Sequence, residues 1–140
     1  MLCLVSTEVI AADASPIFHT RPGSTAPYSP AVRAGDFIFA SGQIGVEDDG
    51  SVPTNFERQA KLAIEHTRDA LVLAGAGLGD VVKCTVMLRD MTQWPVFNRV
   101  YAGYFAPGRL PARSAFGAQA LAMGAGVELE CMAYKPEAEK

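Results

Sequence analysis

The sequence predicts an α+β fold, a mixed β-sheet with two helices packed on one face, and three observations carry that prediction. Two segments, beginning near Phe56 and near Gln93, place apolar residues at steps of three and four, which is the spacing of an amphipathic helix. Val81–Leu88 and Val127–Tyr134 alternate apolar with polar residues, as strands with one buried face do. The elements follow in the order β-β-α-β-α-β-β, with helices set among strands that also pair locally. The 140 residues fit one domain, 1–140, and 49% hydrophobic with 19% charged residues excludes a disordered chain.

The N-terminal 1–25 reads as an extended segment with a short strand around Glu8–Ala12. Pro16, Pro22, Pro27 and Pro30 then favour loop, since proline lacks the N–H that a central strand needs. Ala31–Arg33 and Asp36–Ser41 form a hairpin about the turn signal Ala34-Gly35. Glu47-Asp48-Asp49-Gly50 is a turn. Thr54 and Glu57 have capping-box spacing and open the first helix, whose apolar face is Phe56, Ala60, Ala63, Ile64, Thr67, Ala70, Leu71 and Ala74. Gly75 and Gly77 end it. In the strand Val81–Leu88, Val82, Cys84, Val86 and Leu88 share one face. The second helix starts near Gln93, capped by Asp90 or Thr92, with Pro95 tolerated in its first turn. Its stripe is Phe97, Val100, Tyr101, Tyr104 and Phe105, and Pro107-Gly108 stops it. Ala112–Gly117 and Val127–Tyr134 are the last strands, and 136–140 is a polar tail. The face carrying Met87, Met132 and Tyr134 among Lys83, Glu128 and Glu130 is too mixed for full exposure and suits burial against another copy.

Net charge is −3, so a nucleic-acid partner is not expected. No apolar stretch approaches a membrane span, and the apolar start Met1–Val5 has no basic residue before it, so neither membrane anchoring nor secretion is expected. Three scattered cysteines, Cys3, Cys84 and Cys131, read as reduced thiols in a cytoplasmic protein, with Cys84 and Cys131 packed on apolar strand faces. Gly75-Ala76-Gly77-Leu78-Gly79 follows a helix and precedes a strand, the reverse of a dinucleotide-binding loop. His19 and His66 with these cysteines have no zinc spacing, and His66 reads as a solvated helix side chain.

Arg113 is the residue that calls for a reason. A guanidinium in the middle of a short strand, among Ala112, Ser114 and Phe116, needs an anion. That anion is either Glu128 or Glu130, in an internal salt bridge, or the carboxylate of a ligand gripped by the two-pronged guanidinium, with Glu128 nearby to hold a water.

With these residues in view, the chain resembles the RidA/YjgF family, also called the L-PSP endoribonuclease family. The resemblance runs from about Ala26 to Tyr134 and rests on several motifs: Ala26-Pro27-Tyr28-Ser29-Pro30-Ala31, Phe39-Ala40-Ser41-Gly42-Gln43-Ile44, Val82-Lys83-Cys84-Thr85-Val86, Phe97-Asn98 with Tyr101 and Phe105, Pro111-Ala112-Arg113-Ser114, and Val127-Glu128-Leu129-Glu130. It implies a chorismate-mutase-like fold of the bacillus type, assembled as a homotrimer with clefts between subunits. It also implies hydrolysis of enamine or imine acids such as 2-aminoacrylate and 2-iminobutanoate to 2-keto acids and ammonia, with no metal or organic cofactor. By resemblance, Arg113 holds the substrate carboxylate and Glu128 positions the attacking water, while Tyr28, Ser41, Gly42, Asn98 and the backbone of Ala115 line the cleft. Relatives also include hydrolases of other small acids, such as aminomuconate, and ribonucleases that inhibit translation; a non-catalytic ligand-binding module is a further alternative. This chain departs from the family pattern at Pro30, where glutamine is usual, and at Ala115, where the best-known members have cysteine.

Overall fold

The computed structural model describes residues 15–137. Its strands are β1 (Ile17–His19), β2 (Ala31–Ala34), β3 (Phe37–Ala40), β4 (Gln43–Ile44), β5 (Val81–Leu88), β6 (Ala112–Gly117) and β7 (Val127–Tyr134). Helix α1 is Phe56–Leu73 and helix α2 is Trp94–Ala102. The strands form one sheet in the order β1-β2-β3-β7-β5-β6, with β4 paired to β7 beside β3. β5 and β6 run parallel, joined through α2, and every other pairing is antiparallel. The sheet is therefore mixed, as expected.

Both helices cover the same sheet face. Ile38, Cys84, Val86, Leu88, Leu129 and Ala133 from the strands share one core with Ala63, Ile64 and Leu71 of α1 and with Phe97 and Val100 of α2. The predicted face of α1 is buried from Ala60 to Ala74. Gln59, on the same helix, is buried yet satisfied: its Nε2 donates to the Pro53 carbonyl at 2.6 Å, and its Oε1 accepts from Gly126 N at 2.7 Å. That pair of bonds ties the entry of β7 to the start of α1.

Several local expectations need correction. The strand read around Glu8–Ala12 and Cys3 lie outside the described residues. β1 sits within the stretch read as loop, because pairing with β2 rather than any pattern of its own makes Ile17–His19 a strand. β4 is two residues long, too short to show a period. The cap of α1 is Asn55, whose side chain accepts from Arg58 N at 2.8 Å, and not Thr54. Glu57 turns outward to Lys61 and Arg99 instead of closing a capping box. Asp90 caps a short 3₁₀ turn, Met91–Gln93, that leads into α2. Helix α2 stops at Ala102, five residues before Pro107, with Gly103 as its C-cap. In β5 a bulge between Val81 and Lys83 sets two residues against one of β7; it buries Val81 and turns Val82 outward, 42% exposed.

Cys84 and Cys131 are not separate thiols. They face each other across β5 and β7, with Cα atoms 4.1 Å apart, and are joined by a disulfide. Arg33, on β2, is the buried cation of the fold: its guanidinium donates to the carbonyls of Gly35, Ala74 and Lys135, tying β2 to the end of α1 and the end of β7.

Asn55→Ala is expected to cost about 1 kcal/mol in urea unfolding, while Thr54→Ala should change stability by less than about 0.5 kcal/mol. Thiol titration of the denatured chain is expected to detect two fewer thiols without reductant than with it. Equal counts would mean that Cys84 and Cys131 are reduced.

Candidate functional site

Strand register decides where each candidate side chain points. Arg113 on β6 lies opposite Cys84 of β5, and Cys84 faces the helices. The Arg113 side chain therefore lies under α2. Its guanidinium carbon sits 4.5 Å from the centre of the Trp94 ring and 4.6 Å from that of Tyr101. Nη2 donates to Asn98 Oδ1 at 2.6 Å. Among the described residues no carboxylate pairs with it, so the salt bridge to Glu128 or Glu130 is not formed. The positive charge is stabilised by two ring faces and one amide oxygen, and Arg113 lines a cavity of about 410 Å³ together with Ala115.

Trp94, Asn98 and Tyr101 are spaced i, i+4 and i+7 on α2, so one turn-aligned row builds the wall behind Arg113. The sequence reading assigned Tyr101 to the core stripe and passed over Trp94. The signal was the row itself, which places Asn98 between two aromatics on the face toward β6. Tyr101 is buried, and its hydroxyl has no hydrogen-bond partner among the described residues. Burial pushes its pKa up to about 12 although Arg113 pulls the other way. It is a neutral O–H at any physiological pH.

Glu128 lies elsewhere. It pairs with Ile44 of β4 and Met87 of β5, one residue out of phase with the buried Val127 and Leu129. Its side chain leaves β7 on the face opposite the core. The carboxylate rests over Gly42, where any Cβ would collide with Oε1. Tyr28, Gly42, His66 and Glu128 line a second cavity of about 600 Å³, together with Arg21 and Met123. His66 is half-buried rather than solvated, with Nδ1 3.1 Å from the Ile44 carbonyl. Met123 adopts a left-handed φ of 57°, uncommon for a residue with a side chain, and 65% of it is exposed. Ser41 lines neither cavity. Its hydroxyl donates to the Ser29 carbonyl at 2.7 Å and its N–H to the Pro30 carbonyl at 2.9 Å, holding the loop that carries Tyr28.

The candidates thus divide into two groups within one chain. Asn98, Arg113 and Ala115 belong to the first cavity; Tyr28, Gly42 and Glu128 belong to the second; the linings share no residue. The first presents a guanidinium without a carboxylate partner among the described residues. The second presents a carboxylate able to accept a proton. Glu130, two residues from Glu128 on the same face, lines a third, smaller cavity of about 250 Å³.

This sheet, its two helices and the residues gathered about Arg113 and Glu128 place the chain in a family, and a profile described as Endoribonuclease L-PSP matches residues 18–135. The chain belongs to that family, as the motifs about Arg113 and Glu128 implied. It is 39% identical over 116 residues to 2-iminobutanoate/2-iminopropanoate deaminase of Mus musculus, covering 81% of this chain and 85% of the mouse protein. A RutC family protein of Pyrococcus abyssi is also 39% identical over 116 residues, covering 81% and 91%. Among solved structures, Escherichia coli TdcF with bound serine superposes with a TM-score of 0.75 at 32% identity, covering 81% of this chain and 92% of that one. No helix among the described residues is long and apolar enough to cross a membrane.

Two glycines of this region separate site from scaffold. A Cβ on Gly45 would run into the backbone of Gln59, whereas on Gly42 it would meet only the movable end of Glu128. Gly45→Ala is expected to cost about 1–3 kcal/mol in chemical unfolding. Gly42→Ala should cost under about 1 kcal/mol.

Proposed function

We propose that this protein hydrolyses reactive 2-imino and enamine acids to 2-keto acids and ammonia. The observation that carries the reading is Arg113, a guanidinium clamped by Trp94, Tyr101 and Asn98, facing a cavity and without a carboxylate partner among the described residues. A clamped guanidinium presents its fork in a fixed plane, which suits two parallel hydrogen bonds to a carboxylate. The imine carbon next to that carboxylate is already electrophilic, so no strong nucleophile is needed. Glu128 accepts a proton from water as its oxygen bonds to C2. The C2–N π pair moves to nitrogen, and the proton is returned there to give a carbinolamine. The carbinolamine hydroxyl proton then passes by way of Glu128 to the same nitrogen, the C2–N bond breaks, and ammonia leaves as the carbonyl forms. The neutral Tyr101 hydroxyl is a further donor for the ligand in the arginine cavity.

Arg113 and Glu128 stand on opposite faces of the sheet, so one chain cannot bring both to one small molecule. In this reading the site is completed between copies, the arginine cavity of one against the glutamate cavity of the next, in the homotrimer of chorismate-mutase-like fold that the resemblance implies. Phe37, Phe39, Phe116 and Tyr134 are each 42–50% exposed in the single chain and supply apolar surface for such contacts. A cytoplasmic location belongs to the same reading. It makes the Cys84–Cys131 bond the feature to check, because cytoplasmic thiol pools keep most cysteines reduced. The ribonuclease reading has less support, since the chain carries a net charge of −3.

The test pairs calorimetric titration of 2-ketobutyrate with rates of imine hydrolysis, the imine being made in place by a PLP-dependent dehydratase. Charge-assisted hydrogen bonds contribute roughly 1.5–3 kcal/mol each, so Arg113→Ala is expected to weaken keto-acid binding by about 10²-fold or more. Glu128→Gln should keep binding within about tenfold while turnover falls about 10²–10⁴-fold. Glu130→Gln should be milder. Co-refolding equal amounts of Arg113→Ala and Glu128→Gln chains should restore activity in roughly one quarter of the sites of a cyclic assembly. No recovery on mixing would place the whole site within one chain, and parental binding by Arg113→Ala would remove the arginine from it.

A further inference from the structure

The glutamate cavity contains more positive charge than a one-carbon-centre hydrolysis uses. Arg21 lines it from the loop after β1, and among the described residues its guanidinium makes no ion pair or side-chain hydrogen bond. His66 lines it from α1. Because a carbonyl can only accept, the contact between Nδ1 and the Ile44 carbonyl puts a ring proton on Nδ1; Nε2 is the uncommitted nitrogen and donates to an anion in the imidazolium form, in which both nitrogens carry a proton. Glu47, whose carboxylate feels His66, is engaged by Arg58 through two bonds of 2.8 and 2.7 Å and so does not neutralise this group. Glu128 is the carboxylate of the lining, and the water-holding role occupies it. The cavity, at about 600 Å³, is also the larger of the two, and Glu128, His66 and Arg21 all line it.

We propose that Arg21 and His66 form a second anion subsite, and that the preferred substrate is a 2-imino dicarboxylic acid. The α-carboxylate would lie on Arg113 and the reacting carbon by Glu128, with the distal carboxylate reaching Arg21 and His66. This inference rests on the deaminase reading above. Arg21 is exposed on a loop, so its replacement leaves the core untouched, and the guanidinium supplies the distal charge partner. His66 is anchored by Ile44 and supplies an oriented ring beside it.

The probes are 2-ketoglutarate and 2-ketoadipate, compared by calorimetric titration with 2-oxopentanoate, which keeps the chain but lacks the second carboxylate. The full-length parent is expected to bind at least one dicarboxylate tenfold or more tighter than 2-oxopentanoate. Arg21→Ala should reduce that preference to under threefold, and His66→Asn should reduce it by a smaller factor. Arg68→Ala, a surface arginine that lines neither cavity, serves as the control for general charge. Arg113→Ala should weaken all three acids together. Equal binding of mono- and dicarboxylates by the parent, with Arg113→Ala still weakening both, overturns the subsite and leaves the deaminase reading standing. An equal loss of preference in Arg68→Ala also overturns the subsite. Binding of every acid unaffected by Arg113→Ala, or no binding of any acid by the parent, overturns the deaminase reading and the subsite with it.

Discussion

The antiparallel pairing of β7 with β5 is the constraint on which the other features depend. β7 lies between β3 and β5, β5 lies between β7 and β6, and the register along these three ladders fixes which side chains enter the core. Because side chains alternate along a strand, placing Cys84 and Cys131 toward the helices places Arg113 there too, and it places Glu128 and Met87 on the other side. A slip of one residue would expose the apolar set and carry Glu128 into the core. The disulfide between Cys84 and Cys131, the bonds from Gln59 to the start of β7 and those from Arg33 to its end all act on this register.

Given that register, Arg113 has to be stabilised under a helix without an acidic partner. The parallel crossover from β5 through α2 to β6 lays the aromatic face of α2 over it, and the row Trp94, Asn98, Tyr101 provides two π faces and an amide oxygen. Such contacts offset only part of the cost of desolvating a cation. The remainder is avoided by keeping the guanidinium open to a cavity, which is also what makes it available to a ligand. Arg33 contrasts with it: 8% exposed and donating to three carbonyls, it is a structural cation withdrawn from solvent.

The elements with a long period are legible in the sequence. The buried face of α1 and the strands β5 and β7 were read to within a residue, because eight or more positions of consistent period leave little room for another phase. β1 and β4 were not, since three and two residues carry no period and their pairing is imposed by β2 and β7. The phase of Val82 was misread because a bulge breaks alternation without marking the sequence. The cap fell on Asn55 rather than Thr54, since either residue type serves and the choice depends on how the preceding loop enters the helix. Arg113 and Glu128 stand out by residue type, and Asn98, Tyr28 and Gly42 by the resemblance alone, while Trp94, Tyr101, Arg21 and His66, which line the same cavities, each have an ordinary reading as core or surface.

The sequence by itself determined the α+β class, the order of the long elements and the family, and it singled out Arg113 and Glu128 as candidates. These follow from local periodicity and from residue types whose cost in a strand demands an explanation. Only the tertiary structure decided that Cys84 and Cys131 meet, that Arg113 is held by rings instead of a carboxylate, and that it and Glu128 occupy different cavities on opposite faces of one sheet. Those facts depend on register between segments separated by tens of residues, and a linear pattern fixes which face a residue takes on its own strand but not which residue of another strand stands beside it.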